Sequence, residues 1–163
     1  HHSMKNILNS IKLIVISALC MQLIACESKN DNDIILENSF IINDVKYAAT
    51  GASYIVNPEN ISLHFGNRLT NDNESLAKQI EIVVNTRYLT ENHFYYPHND
   101  NSKLILSAIY SYKEDGEIKR VDGLRKGEIS LIQIDKFYIV EYNLKINDNT
   151  IEGYFAGEIY LNK

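Results

Sequence analysis

The sequence predicts an all-β fold, a single antiparallel β-sandwich or flattened barrel of about nine strands. Two observations carry this expectation. From Phe40 onward, short segments rich in Ile, Val, Tyr and Phe alternate with clusters of Asn, Asp and Gly, and no window sustains a helical period. Near the C-terminus, Tyr138, Val140, Tyr142, Leu144 and Ile146 share one face while Glu141, Asn143 and Lys145 take the other. One side of that strand therefore meets a core and the other meets water.

The elements follow in chain order. Ser39 to Ile42 and Val45 to Ala49 flank Asn43-Asp44, two residues that tolerate the left-handed backbone of a tight hairpin turn. Ala52 to Val56 and Ile61 to Phe65 come next. Around Asn73 to Lys78 the residues Glu74, Leu76, Ala77 and Lys78 suit a short peripheral helical turn. In Gln79 to Thr86, Ile80, Ile82 and Val84 repeat the alternation. Leu104 to Lys113 places Leu104, Leu106, Ala108 and Tyr110 on one face, but Ile105 and Ile109 make it apolar on both, so it belongs centrally or under a cover. The charged run Glu117 to Arg120 with Gly123, Arg125 and Gly127 reads as a loop or weak edge hairpin. Glu128 to Ile134, Phe137 to Ile146 and Ile151 to Leu161 complete the set, with turn chemistry at Asn147-Asp148-Asn149.

Ahead of this domain lies an address. His1-His2-Ser3 precede Met4 and read as the stub of a purification tag, outside fold and metal reasoning. Residues 4–25 have the layout of a secretory signal: basic Lys5 and Lys12, an apolar run from Leu13 to Ala25, then Cys26. The run is shorter than the roughly 20 residues a membrane-spanning helix needs. Leu23-Ile24-Ala25-Cys26 resembles the lipobox of bacterial lipoproteins, which implies cleavage before Cys26 and a multiply acylated cysteine anchored in the outer membrane, on its periplasmic face or the cell surface. Cleavage takes 25 of the 163 residues and both signal lysines, which moves the net charge from −5 to −7. An acidic balance of this size argues against nucleic acid. Cys20 leaves with the signal, so Cys26 has no intrachain disulfide partner.

Residues 26–33 read as an acidic flexible tether, and 34–163 as the β-domain. Lys29 followed by acidic residues also resembles the surface-export signal of lipoproteins in the Bacteroidota. A solvated linker accounts for the same residues. Gly127 to Leu131, Tyr138 to Leu144 and Ile151 to Gly157 form a three-strand meander, and Phe40 to Tyr47 an opening hairpin. Together they resemble small all-β lipoproteins of the Bacteroidota, with Asp44 where a glycine is commoner. That resemblance implies a sandwich or flattened barrel and no particular activity.

The densest candidate binding site is His93, Phe94, Tyr95, Tyr96 and His98, a run of aromatics bracketed by imidazoles. Aromatic faces stack on sugar rings or flat cofactors, and two imidazoles can ligate a metal or haem iron. The bland alternative puts Phe94 and Tyr96 into the core at strand spacing, with the histidines solvated beside a proline turn. His64 is the third histidine of the mature chain, and none of the spacings matches a zinc signature. The recurring Asn-Asp-Asn triplets lack the glycine and terminal glutamate of a calcium loop and read as turns. No nucleophile motif, metalloprotease motif or phosphate loop is present, and Glu114 and Asp115 belong to a turn. Eleven tyrosines and no tryptophan leave a tyrosine row as either sheet cover or binding face.

The expected role is that of a non-catalytic, lipid-anchored envelope module, binding or structural, for a protein or glycan, with no cofactor and no catalytic residue. A lipocalin-like carrier of a small apolar ligand or haem is the first alternative, and an immunity or inhibitor protein the second. A cavity inside a closed barrel distinguishes the carrier from the binding module.

Overall fold

A computed structural model of the chain describes residues 37–162. Twelve strands form two six-stranded sheets that pack face to face. The first sheet holds β1 (Ser39–Ile42), β2 (Val45–Ala48), β6 (Asn92–Tyr96), β9 (Leu124–Ile134), β10 (Phe137–Ile146) and β11 (Asn149–Gly157), in the order β2-β1-β11-β10-β9-β6. The second holds β3 (Gly51–Val56), β4 (Ile61–Gly66), β5 (Lys78–Val84), β7 (Ile105–Glu114), β8 (Glu117–Val121) and β12 (Tyr160–Leu161), in the order β12-β3-β4-β5-β7-β8. The all-β class and the two-layer sandwich arrangement thus follow the sequence expectation, with more strands than the nine it counts.

The core is the set of inward residues that alternation selects. Phe40, Ile61, Leu63, Ile80, Ile82, Ile105, Ile129, Val140, Ile146 and Ile151 have no exposed surface, and the rings of Phe65, Tyr142 and Phe155 cluster between the sheets. Phe65 lies 5.1 Å from Tyr142 and 6.2 Å from Phe155, ring centroid to ring centroid. Burial pushes the Tyr142 phenol above its ordinary pKa, and Tyr110 rises for the same reason, helped by Tyr47 and Tyr112. Each of Tyr138, Val140, Tyr142, Leu144 and Ile146 is buried as the alternation requires.

Three details depart from the sequence reading, and a fourth, at Glu117–Val121, decides between the loop and the edge hairpin it left open. Asn92–Tyr96 is a strand that joins the edge of the first sheet by pairing with β9. Glu117–Val121 is a true edge strand against β7, closed by the turn Asp115-Gly116 at φ 52° and 78°. The segment Ile151 to Leu161 divides after Gly157, and its end crosses to pair in parallel with β3, so the fold is not purely antiparallel. The helical turn at Asn73 to Lys78 reduces to hydrogen bonds from Leu76 and Ala77 N–H to Asn73 O, with no helix formed.

Bulges account for the remaining misreadings. Val83 pairs with Ser107 and Val84 with Ile105, which leaves Leu106 as an extra residue in β7. The inward parity therefore flips at Leu106: Ile105 and Ala108 are buried while Leu106 is 42% exposed. On β9, Lys126 pairs with Lys145 and Leu124 with Ile146, which leaves Arg125 extra. Leu124 packs on the core and Gly127 is buried, so Arg125 and Lys126 between them both project outward.

Candidate functional site

The aromatic run divides as strand geometry dictates, with alternate residues on opposite faces of β6. Phe94 is 2% exposed in the core and Tyr96 packs against it, as the bland alternative has it. His93 and Tyr95 face outward. Their rings stack at 4.3 Å, and His98, beyond the cis Tyr96-Pro97 bond, stacks on Tyr95 at 5.2 Å. The Tyr95 face is thus committed within the protein, and the cluster offers a stacked end wall in place of an open sugar platform. His93 Nε2 lies 3.7 Å from Glu128 Oε2, and His98 Nδ1 accepts from the Asp100 N–H at 3.0 Å. The two imidazoles therefore belong to one outer surface, each stacked on the tyrosine ring.

Directly paired residues of neighbouring strands share a face, so the registers build the outer surface of the first sheet row by row. One row runs Tyr95–Glu128–Asn143–Glu152 across β6, β9, β10 and β11. The next outward row runs Lys126–Lys145–Thr150. Between them lies a groove of about 580 Å³, closed at the β6 end by Tyr95, Tyr96, Pro97 and His98. It crosses four strands, about 14 Å at ordinary strand spacing. One wall is carboxylate and amide; the other is cationic, with Arg125 added by the bulge.

Among the described residues, the side chains of Lys126, Asn143 and Glu152 have no hydrogen-bond or ion-pair partner. Lys145 Nζ donates to Asp148 O at 3.0 Å and, at the 3.5 Å limit, to Thr150 Oγ1. Arg125 reaches Asn147 Oδ1 at 3.4 Å and the exposed Asp148 carboxylate at 3.9 Å. These are long, solvent-screened contacts worth little. A shallower depression lined by Ser39, Glu141, Glu152 and Tyr154 continues the groove across the same face.

The second sheet carries another cleft, of about 630 Å³, lined in part by Ser53, His64, Gln79 and Tyr160. The registers set Ser53, His64 and Glu81 in one outward row. His64 Nε2 lies 3.4 Å from Glu81 Oε2, but the alignment makes no hydrogen bond and the atom is enclosed without a partner. No group of three or more His, Cys, Asp or Glu side chains among the described residues is arranged to hold a metal ion.

Sequence reasoning singled out the end wall of the groove and missed its body. Arg125, Lys126, Glu128, Asn143, Lys145 and Glu152 come from three strands, and only the pairing register brings them together. A usable signal lay in the alternate polar positions of those strands. Cys26 and residues 1–33 as a whole lie outside the described residues. The three Asn-Asp-Asn triplets among residues 37–162 serve as turns: Asn71 Oδ1 accepts from Asn73 N–H, Asp100 Oδ1 from Ser102 N–H and Oγ–H, and Asn147 takes a left-handed backbone.

Comparison with protein-family models, with curated proteins and with solved structures returns no match.

Proposed function

We propose that this chain is a non-catalytic binding module of the bacterial cell envelope, held to the outer membrane by lipid on Cys26, with the outer face of the first sheet as its binding surface for a protein or glycan. The observation that carries this is the groove across β6, β9, β10 and β11, in which the Lys126, Asn143 and Glu152 side chains have no hydrogen-bond or ion-pair partner among the described residues, while Arg125, Lys145 and Glu128 make only surface contacts. Polar groups held in one direction on rigid strands and left unpaired are the ordinary make-up of a recognition surface.

The carrier reading has less support. The space between the sheets is filled by Phe40, Phe65, Phe94, Tyr142 and Phe155, where a carrier would hold its ligand. For haem, His93 and His98 both stack on Tyr95 at the surface, where an enclosed pair of axial ligands is not provided.

Asn143 is exposed at the centre of the face, so Asn143→Trp fills the groove without touching the core. On an array of cell-envelope glycans and secreted proteins, the unaltered chain should bind a defined subset and Asn143→Trp should lose it at unchanged thermal stability. Binding that survives Asn143→Trp undiminished places the recognition surface elsewhere and overturns the assignment of this face.

A further inference from the structure

We infer that the groove recognises an acidic carbohydrate, with the anionic group of the sugar seated on Lys126, Lys145 and Arg125 and its ring hydroxyls on Glu128, Asn143 and Glu152. The inference rests on the binding-module reading and adds the chemistry of the ligand. Three observations lead to it.

The first is the pairing of Lys126 with Lys145. Two lysines directly opposite on adjacent antiparallel strands repel, and such pairs destabilise a sheet. A chain that carries 21 acidic against 16 basic residues has ample means to place an acid at one of these positions. The second is the bulge. Without the extra residue in β9, Arg125 and Lys126 would face opposite sides of the sheet; with it both are exposed, and they line the groove together with Lys145. Among the described residues, Asp148 is the only carboxylate within 4 Å of these cations, at 3.9 Å from Arg125, and Lys126 has no partner. The combination is a site for an anion.

The third observation selects the class of ligand. Facing the cations across the groove are Glu128, Asn143 and Glu152, and two of these are carboxylates. A second negative charge on the ligand would meet them with repulsion, whereas neutral hydroxyls donate hydrogen bonds to them. An acidic peptide presents charge after charge with few hydroxyls. An acidic sugar presents one anionic group per ring among several hydroxyls, and a volume of about 580 Å³ accepts a short run of such rings. Tyr95 and His98, their rings stacked at 5.2 Å, close one end of the groove.

The test is isothermal titration calorimetry on the purified full chain with four probes: an oligosaccharide of uronic acids, a sulfated oligosaccharide, a neutral oligosaccharide of equal length, and an oligoglutamate peptide. Saturable binding of the uronate or sulfated sugar is expected, the two distinguishing carboxylate from sulfate as the anion. The neutral sugar and the peptide should bind at least tenfold more weakly. The double variant Lys126→Ala/Lys145→Ala should lose at least tenfold in affinity for the acidic sugar, and its thermal midpoint should stay level or rise because the repulsion is gone. Lysines that serve the fold would give the opposite, a lower midpoint.

Neutral sugar binding as tightly as acidic, unaffected by the lysine variant, overturns the anionic assignment while leaving a glycan-binding face. Tighter binding of oligoglutamate overturns the carbohydrate assignment. If no probe binds and Asn143→Trp is equally silent on the array, the binding-module reading itself falls.

Discussion

Single residues show where this fold has no slack. Gly153 faces inward beneath the Tyr142 ring, and a β-carbon there would coincide with the ring atoms. Glycine in a strand interior marks such a close approach. Gly153→Ala should therefore destabilise the domain by about 1–3 kcal/mol, read from the midpoint of urea unfolding at constant slope. Phe94→Ala should cost about 3–5 kcal/mol, because it empties a fully packed site. At the adjacent Tyr95, which faces out, alanine should leave stability much less changed. At Asp100 the hydrogen bonds from Ser102 hold the carboxyl below its ordinary value of 3.8, with the Ser102 side-chain bond the largest cause. A depressed acid stabilises its turn above the unfolded value and loses that contribution as pH falls through the folded one. An NMR titration of the Asp100 carboxyl should accordingly give a midpoint below 3.8; one at or above it would remove the capping role.

At the scale of elements, the alternation in β10 was legible because one residue type repeats at period two over ten residues without interruption. β7 was not, because Leu104, Leu106, Ala108 and Tyr110 keep an unbroken apolar alternation straight through a bulge. Only the pairing with β5 reveals that Leu106 is extra. It follows that Leu106→Lys should change stability by no more than about 0.5 kcal/mol, whereas Ile105→Ala should cost about 2–5 kcal/mol in the same unfolding assay. Similar costs at the two positions would mean that the parity does not flip. β6 was not counted as a strand because it is an edge strand of five residues, whereas at β8 the charged residues left a loop and an edge hairpin as alternatives, and the hairpin is what forms. The groove was illegible for a deeper reason. Its aromatic end wall is contiguous in sequence, but its two charged walls exist only after β9, β10 and β11 align, and the bulge at Arg125 decides which cations face it.

For the whole molecule, the first described residues join the domain at one end of the first sheet. Asn38 sits beside Ala156, to which it is joined through hydrogen bonds at both the side-chain amide and oxygen. Thr150, at the cationic side of the groove, lies six residues further along β11, about 20 Å away along the strand. Exposed Ile132, Ile134 and Phe137 share the entry end of the same sheet. Asn38 and the cationic side of the groove thus lie at opposite ends of the same face. Cys26→Ala should move the protein from the membrane to the soluble fraction; retention in the membrane fraction after detergent-free washing would contradict the anchor. The claim on which the account turns is that the outer face of the first sheet is the recognition surface. Its most direct measurement is a backbone amide NMR titration of the full chain with the acidic oligosaccharide. The account predicts saturable shifts concentrated at Gly127, Glu128, Asn143, Lys145 and Glu152; shifts centred on Ser53, His64 and Gln79 of the second sheet, or none that saturate, would contradict it.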